Sequence, residues 1–317
     1  MAAWRPERRG GRWLPVAAAL LLAAAACPAG AADAPPGDGA AAIREDVLAW
    51  REWRRGRLSN PTGWLTLVGL DWLSEGANRV GSGPDNDVRL PGGPAQWGTV
   101  VLEGARITFR RADDPAVTVD GERPAVAELV ADDAGEPTVV SAGTLSFYVI
   151  HRESYALRVK DREAPTLLAF DGMEYFPIDP SWRVEGRLRP PAEGQTVEVG
   201  NVLGQIIDQP VHGVFEFERD GRTHSMLAFR DGDDEELWFI YGDRTNGRET
   251  YGGGRFVVSE GLPEDGRLVV DFNKSYNPPC VFTEYSTCEL PPPENRLDLA
   301  VRAGEKDYAK GVHATGR

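Results

Sequence analysis

The chain has 317 residues, 36 of them Gly and 24 Pro, with a formal charge of −14 and three Cys. That length builds one large or two ordinary domains with real cores. So acidic a chain repels nucleic acid and anionic membrane surfaces, and neither is an expected partner. Abundant turn residues with little helical periodicity favour a mainly β fold.

Residues 1–31 carry the pattern of a signal peptide. Arg5, Arg8, Arg9 and Arg12 form a basic leader, and the apolar run Leu14 to Ala26 is too short for a permanent span. Ala29-Gly30-Ala31 offers small residues for cleavage, which would remove four Arg and one Glu and move the charge to −17. The rival is a lipid anchor at Cys27, disfavoured because Ala24 stands where a larger aliphatic residue is usual. The expected location is periplasmic or secreted, with no transmembrane segment after signal removal.

Residues 32–61 read as a lead-in and a helix. Ile43, Val47, Trp50 and Trp53 or Arg54 recur at helical spacing until Asn60-Pro61 stops it. Trp50 and Trp53 are expected to pack on the first β domain. Residues 62–163 then read as a β-sandwich: a Gly turn at Gly81-Ser82-Gly83, the run Asn86-Asp87-Val88-Arg89-Leu90, and hairpins such as that at Asp120-Gly121. This order resembles a forkhead-associated domain. The phosphothreonine readers of that fold use Arg after the turn Gly and a Ser-x-x-His, which are not present here, so the resemblance implies the fold without the phosphopeptide function.

Residues 164–317 read as a second β domain, a curled sheet or barrel. Its strands are expected at Trp182–Arg189, Val197–Val199, Val214–Glu218, Thr223–Phe229, Leu237–Tyr241, Arg255–Val258, Leu268–Asn273 and Leu297–Arg302. A Pro-rich clasp closes it: Asn277-Pro278-Pro279 and Leu290-Pro291-Pro292-Pro293 flank Cys280 and Cys288. In an oxidising compartment these two Cys are expected to form a disulfide worth about 2–3 kcal/mol.

Asp271-Phe272-Asn273, Tyr276-Asn277-Pro278-Pro279-Cys280, Cys288, Leu290-Pro291-Pro292, Asn295, Leu297 and Ala303-Gly304-Glu305 resemble a prokaryotic family known as domain of unknown function 1684. So do Asp243, Thr245, Thr250-Tyr251 and Gly254-Arg255-Phe256 upstream. Tyr241 and Glu289 depart from the pattern, standing where Phe and Pro are expected. The resemblance implies fold and exported location; the family carries no activity to transfer.

The candidate chemistry lies in this half. His224 is placed on the polar face of its strand, with Asp243 and Asp271 as possible bases, which suits acid–base hydrolysis. Tyr251 and Arg255 flank three Gly that could form an anion nest, and Asn273, Tyr276 and Asn277 add amides and a phenol suited to a sugar. The leading expectation is a binding site for a small polar or anionic ligand, such as a glycan. The alternatives are a hydrolase at the same cleft and a non-catalytic structural protein of the envelope. No cofactor or metal site is expected: four His are scattered, and G-x-S-x-G, H-E-x-x-H and phosphate-loop motifs are missing.

Overall fold

The computed structural model describes residues 37–309 and 311. The leader, its cleavage site and Cys27 lie outside them. The first half holds ten strands: β1 (Leu67–Trp72), β2 (Gly76–Gly81), β3 (Val88–Arg89), β4 (Gly98–Glu103), β5 (Arg106–Arg111), β6 (Thr118–Val119), β7 (Val126–Glu128), β8 (Val140–Ala142), β9 (Leu145–His151) and β10 (Tyr155–Asp161). They form two five-stranded sheets, ordered β1-β10-β9-β8-β6 and β3-β2-β4-β5-β7. Alternation drives the packing: β9 buries Leu145, Phe147 and Val149 and leaves Ser146 and Tyr148 half-exposed. Phe147 meets Phe109 of β5 edge-on at 5.9 Å and Trp97 at 5.8 Å, so the inner faces of the two sheets share one core.

The second half is also β, but among the described residues none of its sheets closes into a barrel. A four-stranded antiparallel sheet runs β15-β14-β11-β18, beside the two-stranded pairs β12-β13 and β16-β17. These strands are β11 (Arg183–Arg189), β12 (Thr196–Gly200), β13 (Ile206–Pro210), β14 (Gly213–Arg219), β15 (Arg222–Ala228), β16 (Trp238–Tyr241), β17 (Arg255–Val258) and β18 (Arg267–Asp271). Phe215, Phe217, Phe239, Tyr241 and Phe272 supply an aromatic core between the large sheet and the β16-β17 pair.

Two expectations need correction. The helix α1 (Gly37–Leu58) packs on the second half, not the first. Its buried residues Val47, Trp50, Arg54 and Leu58 follow helical spacing, and Trp50 joins a cluster with Leu227, Phe229, Trp238 and Tyr276. Charge as well as apolar area decides this docking. Arg54 donates to Glu305 Oε1 at 2.9 Å and to the Asn277 carbonyl at 3.0 Å, and Arg51 donates to the Phe176 carbonyl at 2.9 Å.

The expected strand over Leu297–Arg302 is not one, although its alternation is real: Leu297, Leu299 and Val301 are buried. This segment lies beside the turn after β16, exchanging backbone bonds with Gly242 and Arg244. Beyond Leu299, side chains take over the role of a neighbouring strand. Val301 N–H donates to Asp243 Oδ2 at 3.0 Å, and Arg255 donates to the carbonyls of Val301, Ala303 and Glu305. The backbone groups are satisfied without a ladder.

The Arg54–Glu305 pair is almost sealed, with side chains 9% and 0% exposed. Removing one partner strands a buried charge, so Glu305→Ala is expected to lower unfolding free energy by about 3–5 kcal/mol. The combined Arg54→Met and Glu305→Leu replacement should recover most of that loss. Urea unfolding of both variants measures it.

Candidate functional site

The Pro-rich clasp is nearly continuous in its burial from Asp271 to Thr283. β18 ends at Asp271, whose Oδ1 caps the following turn by accepting from Asn273 N–H at 2.9 Å and Asn273 Nδ2 at 2.8 Å. Asn273 also bonds the backbone of Asp179 in both directions, at 3.1 and 2.9 Å. The two candidate site residues Asp271 and Asn273 are thus bonded to each other inside the protein, at 1% and 0% exposure. Burial pushes the Asp271 carboxyl up, against the pull of Asn273, and its Oδ2 has no hydrogen-bond partner among the described residues.

Arg255 is fully buried. Besides its three carbonyls it donates to Asp243 Oδ2 at 3.0 Å. The other oxygen of Asp243 accepts from Thr245 N–H at 2.8 Å and Thr245 Oγ1 at 2.5 Å. Arg255 and Asp243 thus meet, as a closed ion pair whose side chains are 0% exposed. Two of the three glycines beside Arg255, Gly253 and Gly254, serve close packing. Gly254 has φ +93°, and a Cβ there would lie 2.5 Å from Pro291 of the clasp and 2.7 Å from the Tyr241 carbonyl. Gly304, φ +77°, likewise brings the chain against the Ser275 carbonyl.

Asn277 is equally enclosed, its N–H donating to Glu305 Oε2 at 2.7 Å and its Nδ2 to the Lys306 carbonyl at 2.7 Å. Tyr276 stacks on Phe256 and lies under Arg54. His224 does not face solvent as expected: its strand turns the row His224, Met226, Ala228 inward, and the imidazole stacks on Phe217 at 5.5 Å. Nothing among the described residues links His224 to Asp243 or Asp271 by a hydrogen bond or ion pair.

Cys280 and Cys288 are buried free thiols, so the expected bridge is not formed in this structure. They are nonetheless neighbours: Cys280 N–H donates to Cys288 Sγ at 3.1 Å. Hydrogen bonds from Cys288 and then Tyr251 pull the Cys280 thiol down, while burial pushes Cys288 up. Burial also pushes the Tyr251 phenol up.

The open space lies elsewhere, at the seam between the halves. A small cleft of about 20 Å³ is lined by Trp64, Arg152, Arg158, Pro279, Ser286, Thr287, Cys288 and Glu289. One wall is the clasp loop; the other is β10 with the turn before it. Arg152 is held by Asp132 at 3.1 Å. Arg158 is 2% exposed, donates to Thr287 Oγ1 at 3.3 Å and lies over the Trp64 ring. Its Nε has no partner, and among the described residues no carboxylate pairs with it. Glu289 is buried nearby; desolvation pushes its carboxyl up, and the two arginines only partly offset that. Sequence reasoning missed this site. The signal was Arg158 itself, a cation inside the apolar run Ala156-Leu157-Arg158-Val159.

The family model described as protein of unknown function (DUF1684) matches residues 168–306. Over that segment, somewhat less than half of its length, the chain is similar to the family. Among solved structures it is similar to an uncharacterized protein of Haloarcula marismortui determined by solution NMR, at 31% identity, covering 43% of this chain and 77% of that one, with a TM-score of 0.37. It is also similar to a structure from a study of phosphothreonine-dependent FHA domain interactions, at 20% identity, covering 30% and 96%, TM-score 0.21. A third, the Rv0020c FHA structure, shares 19% identity over 30% and 92%, TM-score 0.21. These scores carry no argument; the ground for describing a sandwich is the two packed sheets. No curated protein matches the chain. No helix of the described residues is long and apolar enough to cross a membrane.

If Arg255 is framework, Arg255→Met leaves three carbonyls and the Asp243 carboxylate unpartnered in the core. Stability should then fall by about 3–5 kcal/mol or more, measured by urea unfolding. A ligand-binding arginine would leave the unfolding midpoint unchanged.

Proposed function

We propose that this chain is an exported binding protein for a small anion, held in the cleft at the seam of its two halves. The observation that carries the reading is Arg158: a buried guanidinium in a cleft, whose Nε–H has no partner and which pairs with no carboxylate among the described residues. A buried cation without a counter-ion is costly, and a bound anion relieves that cost. The Thr287 hydroxyl, which accepts from Arg152 and Arg158, offers its O–H to the same space.

The set first considered, Tyr251, Arg255, Asn273, Tyr276 and Asn277, is better read as framework, because its polar atoms are largely engaged within the fold. The hydrolase alternative has no observation in its favour: Asp243 is neutralised by Arg255, and His224 is stacked in the core.

Nitrate is a suitable probe, being planar and without a titration of its own near neutrality. Calorimetry is expected to show saturable nitrate binding that Arg158→Met weakens by about 1.5–3 kcal/mol, the range for hydrogen bonds to a charged group. Binding should also depend on pH. Below the raised pKa of Glu289 its carboxyl is neutral; above it, a second negative charge beside Arg158 repels the ligand. Affinity therefore falls as pH rises through that titration, and Glu289→Gln flattens the profile. A purely structural envelope protein would show no saturable heat at any pH.

Export rests on the basic leader and apolar run of residues 1–31. The expected mature N-terminus is Ala32, and intact mass of protein recovered from the periplasm or medium checks it; a lipid-modified Cys27 would replace that outcome. In that compartment the neighbouring Cys280 and Cys288 thiols are positioned to oxidise to the bridge.

A further inference from the structure

We propose that Asp46, Glu260 and Asp271 form a site for a hard divalent cation, Ca²⁺ by its spacing, that fastens α1 to the second half. One carboxylate oxygen from each of the three comes within 4.8 Å of the others. Asp46 comes from α1, Glu260 from the connection between β17 and β18, and Asp271 from the end of β18. The cluster alone would mean little, since exposed acids often gather without an ion. The second observation is Asp271: it is 1% exposed, and among the described residues its Oδ2 has no donor although Oδ1 has two. A buried, unpartnered carboxylate oxygen beside two other carboxylates is a ligand lacking its cation.

An all-oxygen donor set suits Ca²⁺, Mg²⁺ or Mn²⁺ and does not suit soft ions. Ca–O bonds of about 2.3–2.6 Å give a coordination sphere roughly 4.6–5.2 Å across, which accommodates oxygens as far apart as these, whereas the smaller Mg²⁺ would require them to close in. The site is not without positive charge. Lys274 Nζ bridges Asp46 Oδ2 and, at 3.6 Å, Glu260 Oε1, and Arg183 also pairs with Glu260. Lys274 makes no ion pair with Asp271 among the described residues; its charge reaches the inner acid and only partly offsets the cost of burial there. The Asp46 side chain is 53% exposed, which leaves the lysine a way out to solvent when a divalent ion enters. The site shares no residue with the anion cleft and does not depend on it.

The test is calorimetric titration of the full mature chain with CaCl₂ after chelator treatment, with thermal unfolding in parallel. One saturable site and a Ca²⁺-dependent rise in Tm are expected. Asp46→Asn, at an exposed position that does not threaten folding, and Asp271→Asn should each weaken binding about tenfold or more, because affinity follows the number of charged ligands. Lys274→Met, which removes the competing ammonium, should bind Ca²⁺ more tightly than the parent chain. The proposal is overturned if Ca²⁺ gives neither heat nor a Tm shift, if Asp46→Asn responds as the parent does, or if Lys274→Met gains no affinity. That last result would make the lysine the permanent counter-ion of the cluster.

Discussion

The second half of this molecule depends on one buried guanidinium. Arg255 reaches from β17 across to a chain segment that has no strand beside it past Leu299, and supplies the donors that a neighbouring strand would have supplied. Asp243 completes the arrangement by holding both Arg255 and the Val301 N–H. Once that segment is fixed, Glu305 is fixed, and Glu305 in turn holds Asn277 of the clasp and Arg54 of α1. A chain of sealed charges thus runs from the turn after β16 to the N-terminal helix. Buried ion pairs add little net stability over apolar packing, but they penalise every arrangement that leaves a member unpaired.

That framework decides where a ligand can and cannot go. The residues whose chemistry stands out most in the second half are the ones the fold has already engaged. The clasp loop instead offers its far side, from Ser286 to Glu289, to the sandwich, where Arg152 and Arg158 arrive from β10 and the turn before it. The cleft lies where the clasp loop meets β10 and the turn before it. Glu289, which departs from the family resemblance, sits in this cleft. A proline there would remove the carboxylate that lies near Arg158.

Much of the β structure was legible in the sequence because alternation is a local signal. β11, β12, β14, β15, β16 and β17 fall within a residue of the runs that announced them. What was not legible is what local pattern cannot encode. Leu297, Leu299 and Val301 alternate as a strand does, yet the partner of their backbone is partly a side chain some fifty positions away in sequence. Trp50 and Arg54 showed the buried face of α1 without saying which half would cover it. His224 alternates with both polar and apolar residues, so its facing could be decided only by what β14 brought against it. The arginines of the cleft were passed over because the apolar strand holding Arg158 read as core. A charge inside such a run marks either a buried pair or a site, and only the packing distinguishes the two.

The central claim is that anions enter at the seam and not at Arg255. Crystals soaked in bromide test it most directly, through the anomalous signal of the ion. The account predicts a peak within hydrogen-bonding reach of Arg158 Nε and Thr287 Oγ1, and none around Arg255. A peak beside Arg255, or an empty cleft at a bromide concentration that fills other surface sites, would contradict it.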